Sequence, residues 1–334
     1  MEWAKRALSR VRNEPTPGWT PADDLLLTSL LLRDLRQRYA VSGRARLKKA
    51  KAGAWARIYK QRLAPAEAAF AKKYATVIRA IQKDTVKSGE LKNLKRWKKR
   101  LADEFTPWYT KQIEGARAAL AKSLKTPKAA FLLRTKVTKA KQRWSWDDYE
   151  YGRLSRGGEV EIDVERMVRD HVRDILGGTL DTLDDRLTRR LEATEESREQ
   201  GLTAEDVERL LGESFDEVLE NGHIDDIATT ETSWAESNGR LAEMAERGIE
   251  WHEWVTAEDD RVRDNHVTYG QQGAIPVGAN WAQFVEESYL LRWPHDPECD
   301  EVAEIANCRC IPVPSVAPED ATEDEIASYF EEAA

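Results

Sequence analysis

The 334-residue chain has no lysine beyond Lys141, only three cysteines and no long hydrophobic run. Each scarcity excludes something. The longest apolar stretch, Leu25 to Leu32, is interrupted by Thr28 and Ser29. It falls far short of the roughly 20 residues a membrane span needs. No segment resembles a signal peptide, so the expectation is a soluble protein, made in a cytoplasm and without a membrane partner. Three cysteines cannot all pair with one another, and a cytoplasmic origin disfavours disulfides. All three lie between positions 299 and 310, which points to a metal or a local structural role. No repeat of fixed period is visible. Helix-turn-helix, zinc-finger and RNA-binding signatures are also missing, so nothing supports sequence-specific reading of nucleic acid.

What is present is charge, unevenly placed. Residues 1–150 hold 36 Lys and Arg against 14 Asp and Glu, a balance of +22. Residues 151–334 hold 16 against 46, a balance of −30. The basic half suits nucleic acid or an acidic protein surface, and the acidic half would be repelled by DNA. The plainer alternative is that the two halves are solvated surfaces that attract each other. The most concentrated basic run, with Lys92, Lys95, Arg96, Lys98, Lys99 and Arg100, surrounds Leu94, Trp97 and Leu101. Those three apolar residues recur at helical spacing and form a candidate buried face. The cations are then either phosphate contacts or the solvated side of an ordinary amphipathic helix.

The patterning predicts an α+β protein: mostly helical N-terminal and middle regions, then a small β-containing C-terminal domain. The expected divisions are a basic helical region (1–150), an acidic helical region (151–222), a C-terminal domain (223–316) and an acidic tail (317–334). Pro15, Pro17 and Pro21 mark an extended arm over 1–22. A leucine-faced helix over 23–39 follows, opened by Thr20 and Pro21. A basic, small-residue stretch occupies 41–53. Helices are expected from Pro65 to Leu124, with breaks near Gly89 and at Thr106–Pro107. A linker spans 143–162, where the charge changes sign. Two helices over 164–176 and 179–195 come next. Thr203 to Asp206 reads as a capping box for a helix through Leu219. A further helix over 225–247 stops at Gly248. Glu250 to Val255 reads as a tryptophan-bearing strand, and Cys308 to Val313 as a short closing strand.

Metal chemistry has five candidates: His266, His295, Cys299, Cys308 and Cys310. Zinc takes about four Cys and His ligands, and residues two apart in a strand share a face, so Cys308 and Cys310 can meet one ion. The alternative is three small cysteines packed in a turn. Asp259, Asp260, Arg261 and Arg263, just ahead of His266, are either an acid–base site or an ion-paired turn. Glu231 and Asn238 lie seven apart on one helix and share a face. Glu231 is expected to accept from Arg261 or Arg263. Trp234, Trp251 and Trp254 are expected in the core.

Read in order, four elements form a series: Ile227-Ala-Thr-Thr-Glu-Thr232, Asn238-Gly-Arg240, the segment from Trp254 to His266, and Asn307-Cys-Arg-Cys310. This series resembles the head-morphogenesis domain of tailed viruses, the phage Mu F-like minor head proteins, over roughly residues 223–314. In that family a threonine–glutamate helix precedes a tryptophan strand, an Asp-x-Arg-x-Arg-x-x-His segment and a closing Asn-Cys-Arg-Cys. The resemblance carries Glu231, Asn238, Asp260, Arg261, Arg263, Asn307 and Arg309 over as structural motif residues rather than catalytic ones. It implies a minor capsid protein in the capsid interior or at the portal vertex, after assembly in the host cytoplasm. Its implied partners are the portal protein, capsid or scaffold proteins, and viral DNA bound without sequence preference. Two other classes stand beside it. One is an ADP-ribosyltransferase-like enzyme or toxin, although the Arg…Ser-Thr-Ser…Glu-x-Glu order is missing. The other is a non-specific DNA-binding protein built on the basic helices.

Overall fold

A computed structural model describes residues 53, 55–88, 91, 94–125, 150–154, 160–196, 202–220 and 223–315. The expected arm over 1–22, the leucine-faced helix over 23–39, nearly all of the basic stretch over 41–53 and the acidic tail lie outside the described residues. The described chain is mostly helical, with a small three-stranded antiparallel sheet near the C-terminus.

A π-helical turn, Tyr59–Leu63, leads into α1 (Ala64–Ser88), and α2 follows at Leu94–Leu124. In α1 the buried side chains Phe70, Tyr74, Val77, Ile78 and Ile81 recur at helical spacing. In α2 the buried stripe runs Trp97, Leu101, Phe105, Tyr109, Ile113, Ala116, Leu120 and Leu124. Helix α1 ends at Ser88, and the expected break at Gly89 itself lies outside the described residues. The expected break at Thr106–Pro107 does not occur, and α2 passes straight through Pro107. An interior proline costs about 3 kcal/mol. Phe105 and Tyr109 flank it fully buried. Each buried side chain of that kind returns about 1.5–3 kcal/mol, so the continuous stripe outweighs the lost hydrogen bond.

The span expected as a linker contains a small hairpin, β1 (Gly152–Leu154) paired antiparallel with β2 (Val160–Ile162). Asp163 then caps α3 (Val164–His171), its side chain accepting from the backbone N–H of Arg166. The two helices expected next are one helical run. Instead of a break, a π turn (Val172–Leu176) joins α3 to α4 (Gly177–Glu196). Leu176, Leu180, Leu183 and Leu187 continue one buried stripe across the junction, which holds the glycine pair helical. The capping box is present at α5 (Ala204–Glu220). Asp206 N–H donates to Thr203 Oγ1 at 3.1 Å, and Thr203 N–H donates back to the Asp206 carboxylate at 3.2 Å.

Helix α6 (His223–Glu246) is buried continuously from Glu231 to Ala245. Gly239 lies where it crosses α2. A Cβ there would stand 2.6 Å from the Ile113 carbonyl and 2.7 Å from Ala116 Cβ, so only glycine permits this approach. The helix ends at Gly248, whose φ of 60° suits glycine. Ile249 N–H reaches back to the Met244 carbonyl and Gly248 N–H to that of Ala245, as in a Schellman ending.

The chain then enters the sheet. Strand β3 (Trp251–Val255) is central, flanked by β4 (Ala274–Pro276) and β5 (Ile311–Ser315), with Trp251 opposite both Pro276 and Ser315. Helix α7 (Asp264–Gln272), a 3-10 turn (Trp281–Val285) and the short α8 (Val302–Ile305) complete the module. The closing strand begins at Ile311, later than the expected Cys308. Cys308 and Cys310 therefore sit in the loop ahead of it.

One apolar core runs from Phe70 through α3, α4 and α6 to Trp293, so basic and acidic helices share it. Their charges meet at its margins, where Arg62 pairs with Glu236 at 2.8 Å and Lys98 with Asp181 at 2.6 Å. A second cluster gathers Trp254, Tyr269, Ile275, Trp281 and Leu291 with the three cysteines, and a third joins Trp55 to Val255 and Ile311.

Candidate metal centre

The first turn of α7 carries His266, 1% exposed, with its ring against Trp254 and Tyr269. Asn307, at a φ of 55°, turns the chain into the Cys308–Cys310 loop. The loop is drawn inward by a backbone bond from Cys310 N–H to Cys308 Sγ at 3.4 Å. Both thiols then face the imidazole: Nδ1 of His266 lies 3.6 Å from Cys308 Sγ and 3.5 Å from Cys310 Sγ. All three donor atoms fall within 4.8 Å of one another, and all three residues are buried. The other ring nitrogen, Nε2, meets the Glu304 carboxylate at 2.8 Å, and Asn265 Nδ2 donates to the same carboxylate.

Burial pushes both thiols up. For Cys308 this is overcome by the hydrogen bond from Cys310 and by His266, which hold it well below the ordinary thiol value. For Cys310 the neighbouring Cys308 adds to burial and drives it higher. Burial lowers His266, but Cys308 and Glu304 outweigh it and push the imidazole up to about 9. The cluster thus stabilises negative charge on sulfur, as a thiophilic cation requires.

Its dimensions can be tested against zinc. Zn–S bonds of about 2.3 Å and Zn–N bonds of about 2.0–2.1 Å at a tetrahedral angle imply an S···N edge of about 3.6 Å. The two observed edges are 3.6 and 3.5 Å. The carboxylate on the far ring nitrogen is the partner that metal-bound histidines characteristically have. The buried group can hold a metal ion such as zinc.

The donor set is narrower than the sequence expectation. Cys299 is buried nearby, but its thiol points to the Glu301 carbonyl at 3.8 Å. His295 uses Nε2 on the Cys308 carbonyl at 2.9 Å, bracing the loop from behind. Glu304, which orients His266, carried no sequence signal; it lies 38 residues away on a single-turn helix.

Of the remaining motif residues, Asn307, Arg263, Arg309 and Asn238 tie the cysteine loop to its surroundings. Asn307 N–H donates to Thr230 Oγ1 at 2.7 Å, and its side chain donates to Asp226 at 2.9 Å, tying the cysteine loop to α6. Arg263 donates to the Ala306 carbonyl. Arg309 pairs with Asp259 at 2.7 Å, while its own carbonyl accepts from Trp55 Nε1 at 2.8 Å. Asn238 Nδ2 donates to the Trp234 carbonyl and reaches that of His295 at 3.4 Å. Asp260 and Arg261 are exposed in the turn before α7.

Glu231 does not accept from Arg261 or Arg263. It faces the helical body, where Tyr109 O–H donates to its carboxylate at 2.5 Å and His171 Nε2 lies 2.6 Å away. Trp234 stacks on the His171 ring at 3.6 Å. Burial raises the Glu231 carboxyl, but His171 and Tyr109 reverse this and hold it below its ordinary value. Sequence reasoning missed His171 and Tyr109, whose only signal was a histidine and a tyrosine on apolar helix faces.

On the basic run, Lys95, Arg96 and Lys99 are exposed, Lys98 is committed to Asp181, and Lys92 lies outside the described residues. Arg96 and Arg100 flank the buried Trp97 ring at 5.6 and 5.3 Å. Among the described residues no helix is long and apolar enough to cross a membrane. Comparison with protein-family models, curated proteins and solved structures finds no match.

Proposed function

We infer that this chain is a minor head protein of a tailed virus. It would be a non-enzymatic virion component that assembles with the portal and capsid or scaffold proteins and lies near packaged DNA. The observation that carries this reading is the convergence of the motif elements that resemble the Mu F-like domain. Asp226 and Thr230 on α6 bind Asn307, Asp259 binds Arg309, Arg263 binds the Ala306 carbonyl, and His266 meets Cys308 and Cys310. These residues interlock with one another, which suits a structural module. Zinc held by His266, Cys308 and Cys310 fastens that module. The exposed cations of α2 supply a surface for sequence-independent phosphate contact.

Proteomics of purified particles tests this reading. The chain should be present at low copy number alongside the portal, and particles made without it should be defective in assembly or DNA delivery. Fully infectious particles lacking the chain would overturn it. DNA binding by the full chain should weaken steeply with added salt.

A further inference from the structure

The centre supplies three corners of a tetrahedron, and the fourth is the informative one. Among the described residues, the group that can hold an ion stops at His266, Cys308 and Cys310. Glu304 cannot take the fourth corner, because its carboxylate is already on Nε2, the ring nitrogen facing away from the sulfurs. Cys299 is turned to the Glu301 carbonyl, and His295 is spent on the Cys308 carbonyl. What borders the three donors instead is a small cavity of about 10 Å³, lined by the same three residues together with Arg261, Arg263 and Arg309. That is room for about one water-sized centre.

Structural zinc sites are closed by four protein ligands, whereas sites with three keep a place for an exchangeable ligand. We propose that His266, Cys308 and Cys310 form an open three-ligand zinc centre whose fourth place takes a small anion, hydroxide included, from the arginine-lined cavity. The cationic lining of the cavity supports an anion. Two thiolates neutralise Zn²⁺, and a neutral His266 bound through Nδ1 donates its Nε2 proton to Glu304. Arg261, Arg263 and Arg309 line the cavity itself, while the carboxylates that interact with them, Asp259, Glu67 and Glu304, are not among its lining residues. Arg263 is anchored on the Ala306 carbonyl, which fixes its guanidinium at the cavity. The proposal rests on zinc occupying the cluster, not on the virion reading.

The test is cobalt substitution of the full chain. Metal-free protein is titrated with Co²⁺ and followed by absorbance, and azide is then added to the loaded protein. We expect one cobalt per chain, thiolate-to-cobalt charge transfer in the near ultraviolet, and tetrahedral d–d bands that azide shifts saturably. Arg261→Gln, at an exposed position, should weaken azide binding several-fold and leave cobalt stoichiometry unchanged. Cys299→Ser should leave both the charge transfer and the azide response intact. Cobalt bands indifferent to saturating azide, or lost in Cys299→Ser, would mean a closed centre and overturn the open fourth place. Failure to bind cobalt or zinc at all would overturn metal occupancy itself, a separate outcome. The azide titration uses the unmodified chain, so its outcome does not depend on whether a variant folds.

Discussion

The helical body and the C-terminal module are held together by different means. The body buries long stripes of Leu, Ile, Phe and Tyr from α1, α2, α4 and α6 in one continuous core. The module has a smaller cluster of three large aromatics and three cysteines, and much of its chain is turn rather than ladder. Its segments are fixed by individual polar bonds to backbone groups and by the His266–Cys308–Cys310 centre. Burial of roughly 25 cal/mol per Å² of apolar surface serves the first region well. The second has less such surface to bury, and small cores of that kind commonly depend on a metal or another cross-link. The difference teaches where each region should be fragile: the body to changes at its helix crossings, the module to loss of one centre.

The largest effect is expected at the polar exception inside the body. Glu231→Leu leaves the Tyr109 hydroxyl and the His171 ring without their acceptor in a buried site. It should cost about 3–5 kcal/mol by denaturant unfolding. Retention of wild-type stability would mean that Glu231 is dispensable to the packing of α2, α3 and α6. Next is Gly239→Ala, which drives a methyl group into the Ile113 carbonyl and Ala116. Overpacking of this kind costs about 1–3 kcal/mol, and a midpoint unchanged from wild type would show that α2 and α6 can separate freely.

A further effect, in the module, depends on pH and grows as pH falls. His252 is fully buried, and burial holds its imidazole at about 3, below its ordinary value of 6.5. The unfolded chain therefore binds a proton across that window that the folded chain refuses, and stability falls as pH drops from 6.5 toward 3. His252→Leu should flatten that part of the stability–pH curve, at a pH-independent cost from the lost Trp281 contact. An unchanged slope would remove His252 from the acid response. The smallest effect is expected at the charge boundary, where Lys98→Ala should change stability by less than about 1 kcal/mol because its pair with Asp181 is exposed. A larger loss would mean that attraction between the halves, rather than their shared core, holds the body together.

What is legible in the sequence follows from local rules. The stripes of α1 and α2, the capping box at Thr203, the glycine ending of α6 and the tryptophan strand each depend on a few neighbouring residues, and each is present. At Pro107 and the Gly177 junction, tertiary burial overrides a local breaker, so local rules place breaks where the helices continue. The cysteine cluster is legible as a cluster, but its membership is not. Cys299 lies in the right neighbourhood with its thiol turned away, and Glu304 reaches His266 only through the fold. Glu231 is legible as a polar brace on α6, while its partners are set by helix packing and come from the opposite side.

A metal held at His266, Cys308 and Cys310 predicts that the module, and not the body, depends on it. Hydrogen exchange of the full chain, with bound zinc and after chelation, tests this most directly. Chelation is predicted to strip protection from residues 251–315 while α1, α2 and α4 keep theirs. Unchanged protection across the module after verified metal removal, or an equal loss throughout the chain, would contradict it.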